Sequence, residues 1–427
     1  MSKNFKVKFI NHACIQIFYD EFSILIDPWF DGKVFNNSWK LLKDTDLKNV
    51  DFTNLKYIVF SHEHPDHLNF DTLKKIYNLN KNITCIFPYR TDDTVKKVIE
   101  KIGFKFIFLK QNSEKFFLNE NDYLKFFSKK PEGDHTIVFS IDKKVIVNQN
   151  DDYTDESTIQ LILSEFKYVD ILLTQFSLAG YYGNSDNSKL IKTNGHDFHL
   201  NRVNYYQKKF NSRIVVPFAS YIYFCKKSNM YLNNFIVTPK EIYELLGSDK
   251  CQLVYYGDQI FFEKNFFTHR NVQNLEKLNT LFEIKNLEFD EFKCVEIEKI
   301  IDIINQKMTD MSLFKKIRTF TNNFNLLDFV KGIYKFCLFK KSLIIKISDI
   351  NQFIEIDFFS NSCKPHSGEK KKYDFSLPSE DLLYMFKFPW GSDTANITGS
   401  VNYYSKRSFY FFEFLLRYYH IFGAKFY

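Results

Sequence analysis

One hexapeptide, His62-Glu63-His64-Pro65-Asp66-His67, constrains this chain more than any other feature. It gathers three of the ten histidines and an aspartate directly after an apolar run, Lys56-Tyr57-Ile58-Val59-Phe60-Ser61, that reads as a buried strand. In extended backbone, residues two apart face the same side, so His62 and His64 present their rings together. Neutral imidazole is the commonest metal ligand. Pro65 argues against a helix and therefore against a helical zinc-protease motif. The turn it makes lets Asp66 and His67 address a second ion beside the first.

Two later segments supply further donors. Gly133-Asp134-His135 precedes the run Thr136–Asp142, and Asn148-Gln149-Asn150-Asp151-Asp152 ends the run Lys144–Asn150. Both are read as strands, and ligands on loops converge where strand ends share one edge of a sheet. His135 is expected to add a third nitrogen to the first metal. Asp151 is expected to bridge two cations, since a carboxylate has two oxygens.

Around these segments, short apolar strands alternate with helical spacings up to about residue 265, which suggests sheets covered by helices. Helices are expected at 72–79, 91–102, 157–166 and 200–210. Residues 1–265 are read as the catalytic domain and 266–427 as a smaller α+β domain. In the latter, helices are expected near 273–280, 292–308 and 311–321, strands near 343–348 and 352–359, and a helix capped by Ser379. The segment 409–427 reads as an amphipathic helix. Phe388-Pro389-Trp390 reads as a turn with an anchoring Trp, either packed in the core or walling the site.

Composition excludes several classes. Charged residues make up 26% and hydrophobics 45%, so wholesale disorder is ruled out. The net charge of +7 is scattered, so no nucleic-acid partner is expected. Seven cysteines without a CxxC pair point away from a disulfide framework and towards a reducing, cytoplasmic setting. No apolar run is long enough for a transmembrane helix.

The segments Asn11–Trp29, Ser61–Ile76 and Pro217–Tyr221 resemble the metallo-β-lactamase superfamily over roughly residues 5–260. Within it, the runs 62–75, 174–184 and 217–234 resemble the metallo domain of CMP-N-acetylneuraminate hydroxylases. The resemblance implies an αββα sandwich with metals at one edge of two sheets. It implies that His62, His64 and His135 hold one ion, and that Asp66, His67 and bridging Asp151 hold the other. Either zinc or iron suits such a set. His12 is expected to support a ligand or to be plainly structural. The hydroxylases carry a Rieske module that the cysteines here do not match. Relatives also tend to place a histidine where Cys225-Lys226-Lys227 stands. The last ligand of the second metal is therefore open between His196, His199, Cys225 and none.

The expected function is a metal-dependent hydrolase. Its activated water would attack an ester, phosphodiester or amide of a sugar- or nucleotide-like small molecule, oriented by Asp66 or Asp151. The Gly180–Asn184 loop is expected to wall the pocket with its tyrosines. The alternative is an iron-dependent nucleotide-sugar N-acyl hydroxylase that receives electrons from a separate protein. A third reading is a non-catalytic metal-bearing module.

Overall fold

The structure is a computed structural model that describes residues 5–130, 132–262, 268–309, 342–357, 360, 362–367, 373–388 and 390–405. The helices expected at 311–321 and 409–427 lie outside the described residues.

Two sheets face each other. The first has the strand order Gln259–Ile260, Phe5–Asn11, Cys14–Tyr19, Phe22–Ile26, Leu55–Val59, Thr84–Pro88 and Lys105–Leu109. The second runs Ile214–Phe218, Ile171–Gln175, Lys144–Asn150, Thr136–Ile141, Tyr123–Phe127 and Phe116–Phe117. Strands of the first sheet are buried on both faces, and the two-residue side-chain period decides which core each residue enters. Ile24, Ile26, Val59 and Ile86 point into the core between the sheets. Their neighbours Leu25, Ile58, Cys85 and Phe87 pack instead beneath the helices Phe70–Leu79 and Thr94–Ile102, against Leu73, Ile76 and Ile99. On the second sheet, helices Glu156–Glu165, Phe198–Phe210 and Pro239–Leu246 contribute Ile159, Ile162, Val203, Phe210 and Ile242 to the central core. This is the αββα sandwich expected from the sequence.

The hairpin Thr136–Asn150 turns through Asp142 and Lys143, both at positive φ, as a two-residue turn matched to strand twist requires. A separate core surrounds a five-stranded sheet. Its members include Ser342–Ile347, Gln352–Asp357 and Phe375–Leu377, with helices Ile297–Thr309, Ser379–Lys387 and Gly391–Thr398 packed on it. Ser379 is not a cap: Pro378 holds that position. The Ser379 hydroxyl donates to Asp349 at 2.6 Å and accepts from the Val295 amide at 2.8 Å, tying the helix to neighbouring chain.

Candidate metal centre

Chain direction explains where the site forms. Strands Phe22–Ile26, Leu55–Val59, Lys144–Asn150 and Ile171–Gln175 run into parallel pairings and end on one edge. That edge receives Asp27, the 61–67 loop, Asn150-Asp151 and Gln175, as expected for the carboxyl ends of strands in an α/β sheet. Three of the strand-end residues, Asp27 (φ 44°), Asn150 (φ 49°) and Ala219 (φ 50°), adopt left-handed backbone without being glycine. Such strain concentrates at functional sites.

The 61–67 loop is a tight turn in which the amides of His67 and Leu68 both donate to the His64 carbonyl, at 3.0 and 2.7 Å. Buried Leu68 pins it to the core, and Asn69 caps the helix Phe70–Leu79 by accepting from the Thr72 amide at 3.0 Å. The rings of His62 and His64 come together as their spacing predicts, with Nε2 and Nδ1 2.9 Å apart. Asp134 Oδ1 lies 3.6 Å from the same His62 nitrogen. His67 Nε2 lies 3.4 Å from both Asp66 Oδ2 and Asp151 Oδ2. His12 Nε2 lies 3.3 Å from Asp66 Oδ2 on the far side.

These donors form three overlapping groups whose atoms all lie within 4.8 Å: His62–His64–Asp134, His62–His67–Asp151 and His12–Asp66–His67. His62, His64, Asp66, His67 and Asp151 are therefore brought together. His135 is in none of the groups. Its Nδ1–H donates to the Gly133 carbonyl at 2.9 Å, and its buried Nε2 has no partner. Burial, then the Arg90 guanidinium, lowers its pKa to about 3, so the ring is neutral. Its neighbour Asp134, not picked out in the sequence, occupies the place beside His62 and His64.

Asp27, also not picked out, organises the centre. It accepts from the Ser61 amide at 2.8 Å, the Ser61 hydroxyl at 2.7 Å, Asn150 Nδ2 at 2.8 Å and His67 Nδ1 at 3.0 Å. Because the Ser61 proton is committed to Asp27, the Ser61 oxygen accepts from His62 Nδ1 at 2.9 Å. One carboxylate thus sets both rings with Nε2 facing the cluster, in the manner of a carboxylate behind a metal-ligating histidine. The local signal was the strand that ends at Asp27-Pro28.

Electrostatics favour a cation here. Burial alone would lower the pKa of His67, yet Asp66, Asp151 and Asp27 hold it well above the ordinary value. Burial would raise Asp66, yet His67 and His12 hold it well below. His62 is lowered by burial and by the two neighbouring rings. Among the described residues, no lysine or arginine ion-pairs with Asp66 or Asp151. Buried His67 Nε2, Asp66 Oδ1 and Asp151 Oδ1 have no hydrogen-bond partner. Orphaned nitrogen and carboxylate donors converging on one point fit a divalent metal, which would satisfy them all.

The cluster floors a cleft of about 110 Å³ with His64, Asp134 and Asp151 exposed to it. Its aromatic walls are Phe35, Trp39 and Tyr153, and Ile397, on the helix Gly391–Thr398, also lines it. The tyrosines of the 180–184 loop are not in this wall. Tyr181 packs edge-on against Tyr403, and the Tyr182 hydroxyl lies 2.7 Å from His199 Nε2. Trp390 neither anchors a core nor walls the cleft. It is 54% exposed and stacked on Phe388. Of the residues left open as a last ligand, His196 lies between Asp197 and Glu241, 2.9 Å from each. Cys225 Sγ donates to the Asn37 carbonyl at 3.2 Å, with burial raising its pKa to about 11. None of His196, His199 and Cys225 belongs to the three donor groups.

Residues 23–113 match the family described as "Beta-lactamase superfamily domain". That stretch contains Asp27 and the whole 61–67 loop. Cytidine monophosphate-N-acetylneuraminic acid hydroxylase from Danio rerio is 25% identical over 250 residues, covering 56% of this chain and 42% of the relative. The protein of that name from Xenopus laevis is 26% identical, covering 53% and 40%. The chain thus spans well under half the length of these relatives. A metallo-beta-lactamase fold protein from Bacillus subtilis superimposes with a TM-score of 0.38 at 12% identity, over 60% of this chain and 98% of that one. The resemblance to the metallo-β-lactamase fold and to the hydroxylases, expected from sequence, stands. No helix among the described residues is long and apolar enough to cross a membrane.

Proposed function

Starting from a metallo-β-lactamase fold with a buried donor cluster at its sheet edge, we propose a metal-dependent hydrolase with a dinuclear centre. The observation that carries this reading is the position of His67 Nε2, unpartnered and 3.4 Å from carboxylate oxygens of both Asp66 and Asp151. His62 and His64, with Asp134 beside them, would hold one ion, and the unpartnered Nε2 of His135 is a further nitrogen for it. Asp66 and His67 would hold the second, with Asp151 between. Paired divalent cations supply there an acidified water and a sink for developing negative charge. The chain's own part is positional. Asp27 and Ser61 hold the two rings in one tautomer. Asp66 or Asp151 would orient the nucleophile. Phe35, Trp39 and Tyr153 offer flat apolar faces to a sugar or base and keep bulk water off the reacting bond.

The second reading, an iron-dependent nucleotide-sugar hydroxylase fed electrons by a separate protein, is favoured by the names of the relatives from Danio rerio and Xenopus laevis. The same donor set serves it, because imidazole and carboxylate suit both zinc and iron.

Elemental analysis of the full chain, purified without added metal, tests the proposal. Two zinc ions per chain and oxygen-independent cleavage of surrogate esters or phosphodiesters are expected. Iron with oxygen-dependent turnover selects the second reading. A protein that binds no transition metal, or keeps its metal when His62 and His67 are both replaced by alanine, overturns both.

A further inference from the structure

Behind the cleft wall lies a cation without a counter-ion. Arg202, on the helix Phe198–Phe210, is 7% exposed. Its Nη2 donates to the side-chain oxygen of Gln175 at 2.7 Å and to the Gln175 carbonyl at 3.3 Å. Nε and Nη1, which carry three of the five guanidinium N–H bonds, have no partner. No carboxylate among the described residues ion-pairs with it. Asp152 is taken by the hydroxyls of Thr136 and Thr154, at 2.6 and 3.0 Å. The nearest histidine, His199, is kept neutral by burial and by Arg202 itself.

A buried charge with unmade hydrogen bonds is costly, and such groups persist mainly where a ligand completes them. The placement says which ligand site. Gln175, which accepts from Arg202, lines the cleft, and so does Tyr153, whose ring lies 4.1 Å from the guanidinium carbon. Tyr153 is 51% exposed and stacks on Phe198 as well as on the guanidinium. The same cleft is lined by Asp134 and Asp151, which belong to the metal cluster. The guanidinium thus lies behind two residues of a cleft that also carries the carboxylates of the donor cluster.

We propose that Arg202 is the specificity-determining residue of this cleft and binds an anionic group of the substrate, a carboxylate or a phosphate, through Nε and Nη1. The fork of the guanidinium suits either group bidentately. The substrate is then an acid whose charged group lies at a fixed distance from the bond being attacked. This deepens the reading of the cleft as a substrate site and rests on it for location, but the anion site does not depend on the metals being bound.

The test uses full-length protein stripped of metal by a chelator, so that the probes cannot bind cations. Inorganic phosphate and acetate are titrated separately by calorimetry, which distinguishes the two anion types. Saturable binding of at least one is expected. It should weaken by at least about tenfold in Arg202→Met, the loss expected for charge-assisted hydrogen bonds. Gln175→Glu, nearly identical in shape, places a carboxylate against the guanidinium and should abolish binding without loss of the fold, as checked by circular dichroism. It keeps the test decisive if Arg202→Met is unstable. The proposal is overturned if wild type binds neither anion saturably, or if Gln175→Glu binds as wild type does. Metal content, measured on untreated protein, judges the metalloenzyme reading independently: anion binding together with untreated protein that carries no metal upholds Arg202 and removes that reading.

Discussion

Asp27 and His67, forty residues apart, meet at 3.0 Å through Oδ2 and Nδ1 with neither side chain reaching solvent. The same carboxylate also holds Ser61 and Asn150, so it links the donor loop of one sheet to a strand end of the other. The rings that face the proposed metals are therefore aimed by a residue that touches no metal.

Replacing Asp27 by Asn keeps the shape and removes the charge behind His67. Metal affinity is expected to fall about 10–100-fold, the usual cost of losing a partner behind a ligating histidine. Competition with a chromogenic chelator measures it. Affinity equal to wild type would show that Asp27 does not orient the ring.

The two cores are joined by a buried ion pair. Lys226 Nζ donates to Asp381 at 2.9 Å and lies 3.2 Å from Glu380, and Asn36 also donates to Asp381 at 2.6 Å. Lys226→Met strands a buried carboxylate and is expected to destabilise the protein by about 3–5 kcal/mol. Denaturant unfolding checks this. A loss below about 1 kcal/mol would place the pair in the class of solvent-screened bridges.

Ile397, on the helix Gly391–Thr398, lines the cleft and packs against the cluster of Phe35 and Trp39. Ile397→Trp should fill the space beside Tyr153 and lower turnover of a surrogate substrate by about a hundredfold, as misplacement near reacting atoms does. Metal content should be unchanged. A variant with full activity would mean that substrate does not enter between Ile397 and the aromatic wall.

His196 gives a pH dependence away from the metals. Glu241, opposed by burial and aided by Asp197, raises its pKa above 6.5. The folded state therefore binds this proton more tightly than the unfolded chain. The stabilisation is complete below the unfolded value of 6.5 and disappears as pH rises through the higher folded value. Thermal midpoints should decline shallowly over that window, and His196→Asn should remove that part of the decline. An identical pH profile in the variant would exclude the pair from stability.

Much of the centre was legible because its densest part is local. His62, His64, Asp66 and His67 lie within one turn, and their two-residue and three-residue spacings impose their directions without help from the rest of the chain. Continuous apolar runs such as Tyr57–Phe60 likewise announced buried strands. Asp134 and Asp27 were not singled out. Their roles arise when strand ends from distant parts of the chain meet at one edge, and nothing in their own neighbourhoods distinguishes them from other aspartates beside glycine or proline. Choosing His135 in this segment followed residue type, whereas the structure also brings Asp134 to 3.6 Å from His62 Nε2.

Amino-acid order alone thus determined the donor loop, the strand pattern and the fold class, because each rests on contacts or periodicities within a few residues. Folding in three dimensions decided which carboxylates complete the cluster, which aromatic rings wall the cleft, and that Arg202 lies behind it uncompensated. Those depend on where sheets and helices bring residues separated by tens to hundreds of positions, a relation that sequence spacing does not carry.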